Sequence, residues 1–101
     1  MASIPEKSGP FSIGSIIWPG ASKVIEEAGE LIQVLGKLIG THGAIEHYDG
    51  TRLDHRLVEE VADLHAALKF FIETNNLTVR DRANRKLALF RKWHLEGRGR
   101  A

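Results

Sequence analysis

Two stretches of the chain carry acidic residues in the same pattern. Lys23-Val24-Ile25-Glu26-Glu27-Ala28-Gly29-Glu30-Leu31 aligns without a gap on Arg56-Leu57-Val58-Glu59-Glu60-Val61-Ala62-Asp63-Leu64. Each stretch is a basic residue, two aliphatics, two glutamates, two small or aliphatic residues, an acid and a leucine. At roughly 100° per residue, Glu27 projects near the centre of the apolar stripe that Val24 and Leu31 mark, and Glu30 at its border. Glu60 and Asp63 stand in the same relation to Leu57 and Leu64. Glu26 and Glu59 fall nearly on the opposite face. Ionised carboxylates among apolar side chains are costly to bury unless they are paired or bind a cation. Packing the two stripes together would bring Glu27, Glu30, Glu60 and Asp63 to a common point. Such a group either takes up protons or holds cations. An all-oxygen donor set suits the hard ions Mg²⁺ and Mn²⁺. The competing reading pairs these acids with lysines and arginines on neighbouring helices.

The elements that must position these acids are helical. Val24, Ala28, Leu31, Leu35 and Leu38 predict a first helix from about Ser22 to Ile39, with Gly40 just beyond it. Gly29 and Gly36 fall inside that helix and suggest close approach by another. A Gly- and His-rich connection follows, from Gly40 to Gly50. It is long for a helix–helix link, and such loops are often functional or sit at interfaces. Thr51-Arg52-Leu53-Asp54 resembles a capping box and predicts a second helix to about Asn75, with the stripe Leu57, Val61, Leu64, Leu68, Phe71 and Ile72. Thr78-Val79-Arg80-Asp81 repeats the signal and predicts a third helix to about Leu95, with the stripe Val79, Ala83, Leu87, Phe90 and Trp93. Residues 1–17 show no helical period and read as an irregular arm. Residues 96–101 read as a basic, frayed tail. The predicted class is all-α, a bundle of about three main helices. Three one-sided helices on so short a chain leave apolar surface over, so a second copy is expected to complete the core.

Bulk properties narrow the function classes. The chain has 101 residues, enough for one domain, with 43% hydrophobic and 27% charged residues. The 14 Lys+Arg and 13 Asp+Glu leave a net charge of +1. That balance argues against stable binding to nucleic acid or to an anionic membrane by bulk attraction. The absence of cysteine excludes disulfides, thiolate metal sites and a cysteine nucleophile. No apolar run reaches the roughly 18–20 residues of a membrane span, and Met1–Pro10 has no signal-peptide core, so a cytoplasmic protein is expected.

The third helix offers the charge complement. Lys86 projects inside its stripe and Arg82 lies at its edge. A lysine aimed at a carboxylate-bound metal suits a phosphorylated substrate, while the plainer reading has Lys86 snorkelling into water. Trp18 could stack on a base or anchor the arm. Asn75 and Asn76 could read a base edge or simply end the second helix.

Glu26-Glu27-Ala28-Gly29-Glu30 followed by Glu60-Val61-Ala62-Asp63 resembles the EExxE…ExxD signature of the MazG-like all-α nucleotide pyrophosphohydrolases. The resemblance covers about residues 18–95. The flanks Trp18-Pro19-Gly20 and Lys86–His94 are similar to those of phage-borne members, among them the MazZ branch, which clears dGTP. The resemblance implies a Mg²⁺- or Mn²⁺-dependent reaction in which a (d)NTP and water give a (d)NMP and pyrophosphate, with a lean to purine deoxynucleotides such as dGTP. It implies metal ligation by Glu27, Glu30, Glu60 and Asp63. It implies for Glu26 a supporting or water-activating role, and for Lys86 a contact with the phosphate chain. It also implies a homodimer or homotetramer in the cytoplasm of a bacterial or phage-infected cell. Where many relatives carry an Asn and an Arg late in the third helix, this chain has Phe90 and Trp93.

Three other readings compete. A di-iron carboxylate bundle needs Glu-x-x-His on two helices, and His65 is out of register for it. A zinc site from His42, His47 and His55 fits no tight ligand spacing. A non-catalytic helical interaction or adaptor module explains the stripes and the basic tail, but not the buried acids.

Overall fold

The computed structural model describes residues 18–97. The expected arm at 1–17 and residues 98–101 of the expected tail lie outside them. The chain is all-α, with α1 at Ala21–Gly40, α2 at Leu53–Thr74 and α3 at Arg80–Leu95. Within the described residues no helix is long and apolar enough to cross a membrane.

Helices α1 and α2 form an antiparallel hairpin. Its open end is closed by two contacts. Asn75 Nδ2 donates to the Pro19 carbonyl at 3.0 Å, and Gly20 lies against the Phe70 ring. Gly20 has φ +89°, and a Cβ there would stand 3.0 Å from that ring. Both the left-handed backbone and the close approach therefore call for glycine. At the other end, Leu53 N–H donates to the Ile45 carbonyl at 2.6 Å and a single bridge joins Glu46 to Arg52.

The buried apolar residues among those described are Val34, Leu53 and Ala67. They locate the seam. On α1 it runs through Val24, Glu27, Leu31, Val34 and Leu38, and on α2 through Leu53, Leu57, Glu60, Leu64, Ala67 and Phe71. Those spacings alternate three and four, as in the interlocking seam of a coiled coil. The stripes predicted above are rotated from this seam. Leu35, Val61 and Leu68 are exposed, while Val34 and Ala67 are buried. Gly29 and Gly36 also face open space, so among the described residues no other helix closes on them.

The predicted capping boxes do not form. Arg52 is the cap residue of α2 and Val79 that of α3, and neither makes a side-chain cap bond. Thr51 is instead tied backward, its N–H donating to Asp49 Oδ1 at 3.0 Å. Asn76 ends α2 in the left-handed conformation, φ +54°, and Leu77 N–H reaches back to the Ile72 carbonyl at 3.0 Å.

Helix α3 stands apart. None of its Cα atoms comes within 8 Å of α1 or α2, and none of its residues is buried. The expected all-α architecture of three helices is thus present, with α1 and α2 packed as a hairpin and α3 making no close approach to them.

Candidate metal centre

The antiparallel seam pairs the two acidic stretches across each other. Glu27 of α1 meets Asp63 of α2, and Glu30 meets Glu60. The internal echo makes Glu27 the counterpart of Glu60 and Glu30 that of Asp63. The two cross-pairs are therefore related by an approximate twofold axis through the hairpin.

Carboxylate oxygens of Glu27, Glu60 and Asp63 lie within 4.8 Å of one another, and so do those of Glu26, Glu27 and Glu30. Glu27 belongs to both groups. Glu60 is the one buried charged residue among those described, at 5% exposure. Arg56, one turn earlier on α2, donates to Glu60 Oε2 at 3.0 Å. The corresponding cation on α1, Lys23, lies 3.3 Å from exposed Glu26. Glu27 Oε2 is buried without a hydrogen-bond partner.

Crowding of like charge acts on two of the acids, Glu27 and Glu30. Glu27 is pushed above its ordinary value of 4.5, first by burial and then by Asp63 and Glu26, with Lys23 opposing. Glu30 is raised as well, first by the charge of Glu60, then by Glu27 and then by burial. Carboxylates arranged this way favour a proton or a cation between them. The donor set is all oxygen, and it includes the buried Glu27 Oε2, which accepts no hydrogen bond. These residues fit Mg²⁺ or Mn²⁺.

The remaining predicted residues are placed differently. Lys86 and Arg82 lie on α3, away from the carboxylates. With Arg85 and Leu89 they line a shallow hollow of about 220 Å³, and Lys86 Nζ sits 6.0 Å from the Phe90 ring centre. The expectation that Lys86 aims at the metal site is not met within one chain, because α3 does not fold back. Trp18 is half exposed and tilts against Phe71 at 6.4 Å. Asn76 acts as the helix stop described above. Sequence reasoning missed Arg56, whose position one turn before Glu60 was the available signal. Asn75 ends α2 as expected, and it also ties the hairpin shut through the Pro19 carbonyl.

The histidines form no metal group. Among the described residues every group of three or more potential ligands within reach of one another is made of carboxylates. His47 Nδ1 lies 3.2 Å from Asp49 in the connecting loop, while His42 and His55 are exposed. Compared with protein-family models, with curated proteins and with solved structures, the chain matches none.

Proposed function

We propose that this chain is a Mg²⁺- or Mn²⁺-dependent nucleoside triphosphate pyrophosphohydrolase, converting a (d)NTP and water to a (d)NMP and pyrophosphate. The observation that carries the reading is the meeting of Glu27, Glu60 and Asp63 across two helices, with Glu60 buried. These are the positions at which the sequence resembles the EExxE…ExxD signature. Glu27, Glu60 and Asp63 would hold the ion, with Glu30 alongside. A bound divalent ion neutralises charge on the phosphates and makes a nearby water more acidic.

The chain's own groups supply the rest. Glu26 lies at the exposed edge of the cluster, where its carboxylate is open to a water molecule and can accept that water's proton. Arg56 orients Glu60 through their hydrogen bond. Lys23 carries positive charge beside Glu26 and Glu27, on the side where a phosphate chain would enter.

The proposal includes assembly of identical chains into a dimer or tetramer. A helix of 16 residues is marginal alone in water. Ile25, Ile32, Leu35 and Ile39 also leave one side of α1 apolar and exposed. The basic face of α3 would complement the acidic hairpin of a neighbour, bringing Lys86 and Arg82 toward phosphate. The unpacked α3 equally suits a helical adaptor, which is the second reading. An adaptor would gain no thermal stability from Mn²⁺ with nucleotide, whereas the enzyme would.

A screen of the common (d)NTPs with Mg²⁺ or Mn²⁺, reading nucleoside monophosphate and pyrophosphate together, tests the activity. Equal release of both products, with a preference for purine deoxynucleotides such as dGTP, is expected. Release of orthophosphate alone, or no turnover of any nucleotide, would contradict it.

A further inference from the structure

The near-neutral total, from which no stable nucleic-acid binding is expected, averages two parts of opposite sign. Helices α1 and α2 carry eight acids against four Lys and Arg. Helix α3 carries six Lys and Arg against one acid, Asp81. The two parts are also separate in space, since no Cα of α3 comes within 8 Å of the hairpin helices. Every residue of α3 except Trp93 is exposed. Placement round the helix divides the cations. At about 100° per residue, Arg80 and Arg91 share one row, and Arg85 and Lys92 share a second about 120° away. Between the rows lie Asp81, Asn84, Ala88 and Leu95. Asp81 is in the first turn, where the helix dipole favours an acid. Arg82 and Lys86 fall on the other side, among Leu87, Leu89 and Phe90.

The proposed hydrolase uses neither row. The rows run about 10 and 16 Å along the axis, so a compact anion would meet only part of one. A bilayer would take the apolar side of α3, and Lys86 interrupts that side. The rows call for a ligand with repeated negative charge on both flanks of a helix. The major groove of duplex DNA is about 12 Å wide, is walled by phosphates on either side, and admits a helix about 10–12 Å across. The deep, narrow major groove of duplex RNA does not admit one. Asn84 and Ala88 are small enough to let the helix sink between the groove walls. We infer that α3 is a duplex-DNA-binding helix, with Arg80 and Arg91 on the phosphates of one strand and Arg85 and Lys92 on those of the other. Because α3 stands off, the acids of the hairpin stay clear of the DNA. The inference goes beyond the hydrolase reading and does not depend on it.

The test is fluorescence anisotropy of a short labelled DNA duplex titrated with the full chain in EDTA, which keeps metal-bridged contacts at the carboxylates out of the measurement. Micromolar binding is expected at low salt, with log K falling against log salt at a slope of about −4, for four phosphate contacts. Arg80→Gln with Arg91→Gln, and Arg85→Gln with Lys92→Gln, should each lower the affinity about tenfold or more and flatten the slope by about 2. Glutamine is close to arginine and lysine in helix propensity, so circular dichroism should show unchanged helix content. Lys37→Gln with Lys69→Gln removes the same charge from the hairpin and should leave binding within about twofold. No binding of the duplex by the wild type, or equal losses from the hairpin pair and the α3 pairs, would overturn the inference. A loss confined to one row would overturn the two-strand placement. Single-stranded DNA, duplex RNA or phosphatidylserine vesicles bound as tightly as duplex DNA would also overturn it, and the vesicles would then assign the helix to a membrane. Nucleotide turnover is measured apart, and neither its presence nor its absence changes the outcome.

Discussion

Glu27 and Glu60 occupy seam positions where a leucine would stabilise the hairpin. Ionised, they repel one another, and Asp63 and Glu30 add to the strain. Glu27→Gln should therefore raise the melting temperature of the metal-free protein while removing any gain from Mn²⁺. Thermal denaturation with EDTA and with Mn²⁺ measures both effects. Arg56→Ala has the opposite sign, because it leaves a buried carboxylate without its cation. It should cost about 1–3 kcal/mol without metal, and Mn²⁺ should restore part of the loss. The pH dependence follows from the same groups. Asp49 is held at about 2, chiefly by hydrogen bonds from Thr51, so its contribution is present above 3.8 and is lost as the pH falls through about 2. Glu27 and Glu30 are raised, so their cost is absent below 4.5, builds as the pH rises from 4.5 toward their folded values, and is fully present above those. The metal-free chain should accordingly be most stable in mildly acidic solution and lose stability toward neutrality. Melting curves taken across that range in EDTA check the sign.

Each helix answers to its buried line of residues. Val34 is 2% exposed and Leu35 42%, so Val34→Ala should cost about 2 kcal/mol or more. Leu35→Ala should cost far less within a single chain. Urea denaturation of the two variants checks the difference. The helices themselves were legible in the sequence to within about two residues, because apolar spacing and the Gly and Asn punctuation mark them directly. The acids were legible for a different reason. Their repeat on two helices puts Glu27 and Glu60 in equivalent places, and an antiparallel hairpin must then bring them together. The rotation of the seam from Leu35 to Val34 was not legible, since either line gives an apolar stripe and only the partner helix chooses. Nor was the standing-off of α3, because the pattern of Leu87, Phe90 and Trp93 names an apolar side without naming what covers it. The cap of α2 failed because Thr51 is held by Asp49 behind it rather than by the helix ahead.

At the scale of the whole molecule, the buried apolar residues among those described, Val34, Leu53 and Ala67, make a small core. The exposed rows Ile25, Ile32 and Ile39 on α1 and Val58, Val61 and Leu68 on α2 would be covered by a second copy. Sedimentation of the full chain should give a dimer or tetramer at micromolar concentration. Ile32→Glu with Ile39→Glu should shift it to monomer and lower the melting temperature together. A monodisperse, fully stable monomer would remove the assembly from the account. If α3 reaches a neighbour's carboxylates, Lys86→Ala should weaken tripolyphosphate binding in the assembled wild-type background and leave Mn²⁺ affinity unchanged.

The claim beneath all of these is that the carboxylates of α1 and α2 form one cation site. Titration of Mn²⁺ into the metal-free chain, followed by the loss of the free-ion electron paramagnetic resonance signal, reads it directly. The account predicts saturable binding by the wild type, with affinity at least about tenfold lower in each of Glu27→Gln, Glu60→Gln and Asp63→Asn while Glu59→Gln binds as the wild type does. Equal binding by all four variants, or none by the wild type, would contradict it.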